Sequence, residues 1–103
     1  MTMKEHRILD EQDEKAAEQS LFRAILSLRD VGEVRAFLVD LCTPAELQAL
    51  KDRWLVAKLL DRDLPYRQIH DRTGVSVTTI GRVARYLNSG AGGYSTALQR
   101  QRK

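Results

Sequence analysis

LPYRQIHDRTGVSVTTIGRVARYLNS, residues 64–89, divides into a short helix, a glycine turn and a longer helix. Pro65 opens the first helix and Ile69 is its inward anchor. Gly74 supplies the positive φ that lets the chain reverse without a Cβ clash. Val75 plugs the corner and Ser76 caps the second helix, whose apolar Val77, Ile80, Ala84 and Leu87 recur at three- and four-residue steps and turn inward. With anchors at Ile69, Gly74, Ile80 and Val83, the layout is a helix-turn-helix. His70 departs from it, because the place after the first anchor usually takes Ala or Gly. A histidine there points partly to solvent or spreads the two helices.

At about 100° per residue, Thr78, Arg82, Arg85 and Ser89 fall opposite Ile80, so the outward face is cationic and hydroxylic. Such a helix suits the major groove of B-DNA. Thr78 and Thr79, near its N-terminus, are candidates for base contacts, whereas Arg67, Arg72 and Arg85 are placed to meet phosphate. Ser76, Val77 and Arg82 complete the candidate DNA-binding set. A helical hairpin used only for packing has similar anchors, so the local pattern leaves a protein-interaction module open as the alternative.

Upstream, Thr43-Pro44-Ala45-Glu46 has the form of a capping box and starts a helix running to about Arg62. Leu47, Leu50, Trp54 and Ala57 share one stripe, and Leu55, Val56, Leu59 and Leu60 make that helix apolar nearly all round. Such a helix needs partners on two sides. Before it, a helix from Asp10 carries Ala16, Ala17, Leu21, Ile25 and Leu28 on one stripe, widened by Phe22 and Leu26. A second, capped by Asp30, carries Val34, Phe37, Leu38 and Leu41 and ends near Cys42. No strand-like alternation interrupts these elements. The expected fold is all-α, with five to six helices. Residues 1–9 form a flexible start, 10–98 a single helical domain and 99–103 a basic tail.

The chain of 103 residues is 43% apolar and has only six aromatic residues, which limits its core and makes a homodimer the natural way to complete it. The net charge of +3 is unevenly spread. Residues 1–20 hold three basic and six acidic groups, residues 21–61 six of each, and residues 62–103 eight against two, with no Asp or Glu after Asp71. This segregation favours a polyanion partner for the C-terminal half. A single cysteine, Cys42, excludes an intrachain disulfide and a multi-cysteine metal cage, and is read as a small buried hydrophobe. No apolar run is long enough to span a membrane, and residues 1–15 lack a signal peptide's apolar stretch, so a cytoplasmic location is expected. No carboxylate pair or base-activated nucleophile suggests an enzyme. Trp54 belongs to the core, and Tyr94 packs a short last helix or turn.

LCTPAELQALKDRW (41–54), the hairpin and its YLNSG end, with LFRAIL (21–26) and GYSTAL (93–98) outside them, resemble the Trp repressor-like YerC/YecD family over about residues 18–100. That resemblance implies an intertwined all-α dimer, a DNA-binding bacterial regulator of repressor type and a roughly palindromic operator. The resemblance also assigns a possible effector pocket to Thr43, Arg53, Arg82 and Tyr86. However, Val83 and Tyr86 stand where the family's tryptophan pocket has glycine and serine. Their bulk opposes a tryptophan-like corepressor, and no cofactor or metal is expected.

Overall fold

The computed structural model describes residues 8–102, which form six α-helices and no strand. The flexible start expected for residues 1–9 lies, through residue 7, outside the described residues. The chain falls into two compact units, Met1–Pro44 and Ala45–Lys103.

In the first unit, α1 (Glu11–Leu26) begins where the Asp10 carboxylate accepts from Asp13 N at 2.8 Å. Glu11, Asp13 and Glu14 fill its first turn and Arg23 lies in its last, both suited to the helix dipole. Helix α2 (Val31–Leu41) is held by two reciprocal bonds. Asp30 accepts from Glu33 N at 2.8 Å, while the Glu33 carboxylate accepts from Arg29 N at 2.8 Å. Local chemistry thus defines both starts, yet neither helix contains a buried residue. Leu21, Phe22, Ile25 and Leu26 of α1, and Val31, Val34, Val39 and Leu41 of α2, are exposed. Cys42 is half-buried, less enclosed than a core position.

Helix α3 (Pro44–Asp61) starts at the expected proline, with Glu46 in its first turn. Its far half carries the second unit's core. Val56, Ala57 and Leu59 pack with Ile69, Val75, Ile80 and Val83, and Trp54, Leu60, Leu64 and Tyr94 flank the cluster. Leu50 and Leu55 of the same helix remain exposed, as its all-round apolar character requires when one side is covered.

The helix ends in a Schellman motif. Leu64 N donates to the Leu59 carbonyl at 3.3 Å and Asp63 N to the Leu60 carbonyl at 2.9 Å. This geometry puts Asp63 at φ 62, the left-handed region that glycine occupies without cost. Asp63→Gly is therefore expected to stabilise the protein by about 0.5–1 kcal/mol, a rise of roughly 2–8 °C in Tm. An unchanged or lower melting temperature by circular dichroism would refute that assignment.

Helix α4 (Tyr66–Thr73) follows Pro65, which occupies the cap position just before the first turn. Helix α5 (Val77–Ser89) and helix α6 (Gly93–Gln101) complete the unit. Gly90 closes α5 at close quarters, since a Cβ on it would lie 2.4 Å from the Tyr86 carbonyl oxygen. Gly92 then adopts φ 89 to begin α6. Past residue 98, where a basic tail is expected, α6 continues through Arg100 and Gln101, and the Arg102 guanidinium pairs with Asp61 at the end of α3. A carboxylate remote in sequence thus secures a segment whose own composition lacks acidic groups.

Candidate nucleic-acid interface

The hairpin is built around a corner that the sequence stitches twice. Gly74, at φ 75, ends α4 and donates its N–H to the His70 carbonyl at 2.8 Å. Thr73 Oγ1 donates to the Ile69 carbonyl at 2.7 Å and accepts from Val75 N at 3.0 Å. The His70 ring adds a further tie. Its Nδ1 lies 2.8 Å from the Val75 carbonyl, which only accepts, so Nδ1 carries the hydrogen of this bond. His70 accordingly stays exposed and bonds back to the corner, without entering the space between the helices. Pattern reading missed the structural role of Thr73. Its position four residues after Ile69, where a hydroxyl can back-bond to the carbonyl, was the available signal.

Ile69 and Ile80 are fully buried on facing sides of the hairpin, and Val83 and Ala84 continue the buried stripe of α5. Val75 fills the corner as expected. Val77 does not join that stripe, being 55% exposed. Stepping back three residues from Ile80 points Val77 inward, but it belongs to the first turn of α5 and Val75 already occupies the apolar corner. Leu87 is half-buried at the other end.

Turned outward, Val77, Thr78, Arg82, Arg85 and Ser89 are all exposed. Ser76 accepts from Thr79 N at 3.1 Å, and its hydroxyl donates to Thr79 Oγ1 at 3.0 Å. Thr79 is thus half-buried and engaged in the cap, leaving its own O–H to donate, while Thr78 projects more freely. No acidic side chain occupies the first turn of α5, so the helix itself places no anion at the positive end of its dipole. Arg67 and Arg72, near opposite ends of α4, are exposed as well.

The four candidate effector residues are not equally placed. Arg82 and Tyr86 meet directly, with the guanidinium carbon 4.8 Å from the ring centroid. Arg53 is half-buried on α3 and does not line the open hollow of 390 Å³ beside Tyr86, which Trp54, Ala91, Gly93, Tyr94 and Ala97 line. Thr43 belongs to the other unit. Among the described residues no group of three or more His, Cys, Asp or Glu side chains is arranged to hold a metal ion. No described helix is long and apolar enough to cross a membrane.

Residues 16–102 match the family described as Trp repressor protein. YerC of Bacillus subtilis (strain 168) is 46% identical over 80 residues, covering 78% of this chain and 77% of YerC. A crystal structure of a TrpR-like protein from Eubacterium eligens superposes with a TM-score of 0.81 at 40% identity, covering 89% of this chain and 95% of that one. A Staphylococcus aureus crystal structure gives the same TM-score and identity, with 90% and 96% covered. Over nearly its whole described length, in sequence and in backbone, the chain belongs, in a YerC-like branch, to the Trp repressor family, a family of regulatory DNA-binding proteins and not of enzymes.

Proposed function

We propose that the protein is a homodimeric, sequence-specific transcription regulator, a repressor, that inserts α5 into the major groove of a palindromic operator. One observation carries this reading. The exposed Val77, Thr78, Arg82 and Arg85 surface sits on a helix whose opposite side, Ile80, Val83 and Ala84, is locked into the core. A rigid helix presenting arginines and hydroxyls meets both needs of groove recognition. Thr78 and Thr79 hydroxyls and the Val77 methyls address base edges, and Arg67, Arg72 and Arg85 address phosphates. Arg82 is long enough for either, and the N-terminus of α5 adds an unopposed positive pole beside Ser76.

Dimerisation is supported by the exposed apolar rows of α1 and α2, which bury no residue within the chain. Two copies related by a two-fold axis present two recognition helices to successive major grooves about 34 Å apart. Bacterial DNA as the target places the protein in the cytoplasm. No small-molecule corepressor enters this reading, because Tyr86 brings an aromatic ring of the chain's own against Arg82.

Genomic selection of DNA fragments by the purified protein, at about 150 mM salt and with no added small molecule, tests the proposal. The expected result is an enriched palindrome with half-sites about one helical turn apart, its enrichment lost in Arg82→Ala and its base preference relaxed in Thr78→Ala. If no sequence is enriched by folded protein, the DNA reading falls and the protein-interaction module takes its place.

A further inference from the structure

Tyr86 lies between two cations. The Arg82 guanidinium carbon is 4.8 Å from its ring centroid and that of Arg85 is 6.0 Å away, both within the range where the negative face of an aromatic ring attracts a cation. The spacing from 82 to 86 places those side chains as neighbours on the helix surface. Arg82 and Arg85, three apart, are also neighbours, and their like charges repel. No Asp or Glu follows Asp71 in the sequence, so α5 offers neither arginine a carboxylate. The ring is what the helix supplies in its place.

The backbone that carries this ring is held at the end of α5. The Tyr86 carbonyl accepts the Gly90 N–H at 3.0 Å as α5 ends, and Gly90 approaches so closely that a Cβ there would clash with the same oxygen. A free exposed arginine must lose most of its rotamer freedom when it grips a phosphate or pairs with a guanine edge. One already laid against an aromatic ring loses less, and its planar guanidinium is already oriented.

We propose that Tyr86 is a positioning residue that holds Arg82 and Arg85 as one preordered cationic pair on the outward face of α5, and so sets the affinity of the recognition surface without touching DNA itself. This inference rests on the DNA-binding reading above. Losing the ring while keeping both charges weakens operator binding by about 2- to 5-fold per subunit, which compounds to about 4- to 25-fold for a dimer using two helices.

The test compares Tyr86→Leu with Tyr86→Phe by fluorescence anisotropy on the operator selected by the wild type, over a salt series. Tyr86→Phe keeps the ring face and is expected to bind within about 2-fold of wild type, whereas Tyr86→Leu shows the full loss. The salt slope should be the same in both, since no phosphate-neutralising charge is removed. NMR gives a readout independent of DNA. The Arg82 δ-methylene protons should be shifted upfield by the ring in the wild type and in Tyr86→Phe, and return to ordinary values in Tyr86→Leu. Tyr86 is an exposed position, so both variants are expected to melt near the wild type. Equal operator affinity of Tyr86→Leu and wild type, or an unshifted Arg82 in the wild type, overturns the positioning role alone. A wild type that shows the ring-current shift but selects no DNA overturns the DNA reading instead, and with it any role for Tyr86 in DNA affinity.

Discussion

In the proposed homodimer, Phe22→Glu and Leu26→Glu are each expected to convert dimers to monomers and to weaken operator binding by at least about 10-fold. Phe22 is 51% exposed and Leu26 84% exposed in the single chain, where a surface carboxylate changes stability by about 0.5 kcal/mol or less. Buried unpaired between two copies, the same carboxylate costs several kcal/mol, and two-fold symmetry makes each substitution act twice. The consequence extends to local structure. Helices of 16 and 11 residues that bury nothing of their own are marginal in water, so α1 and α2 should lose helicity once the dimer separates. Light scattering coupled to size exclusion, with circular dichroism on the same samples, reads both effects. A Phe22→Glu protein that remains dimeric with full helicity would exclude this face as the dimer contact.

Ile80→Ala should lower stability by about 3 kcal/mol, or roughly 10–20 °C in Tm for a chain of this size. Ile80 is fully buried, in a core whose other members come from α3, α4, the corner and, with Val83, α5 itself, so the missing methyl groups leave a cavity that several elements share. The position also anchors the recognition helix, so DNA affinity should fall with stability. Val77→Ala provides the contrast within one helix. With Val77 more than half exposed, its truncation should change stability by less than about 0.5 kcal/mol while still altering base preference. Thermal unfolding followed at 222 nm decides between them. Equal melting temperatures for Ile80→Ala and the wild type would mean that α5 does not pack on its Ile80 side.

Most of the hairpin was legible in the chain because its determinants are local. Positive φ at Gly74, the Ser76 cap and the buried Ile69, Ile80 and Val83 each depend on neighbours within a few residues. Asp10, Asp30 and Pro44 announced helix starts for the same reason. Periodicity failed at Val77 because a helical wheel is unbounded, whereas the core it faces ends at the corner filled by Val75. At residues 99–102 composition shows only a basic tail, whereas the pairing of Arg102 with Asp61, some forty residues earlier, is visible only in the fold.

The sequence by itself determined the order of the helices, their caps, the turn at Gly74 and the charge asymmetry that favours a polyanion, since each arises from residue type and short-range spacing. It also carried family membership, through motifs spread over most of the chain. Only the tertiary structure decided that Val77 faces outward, that Arg82 and Arg85 share the Tyr86 ring, and that the apolar rows of α1 and α2 contain no fully buried residue. Those outcomes depend on where a core ends and which side chains meet across space. A one-dimensional pattern records that a residue is apolar or charged, but not the surface available to receive it.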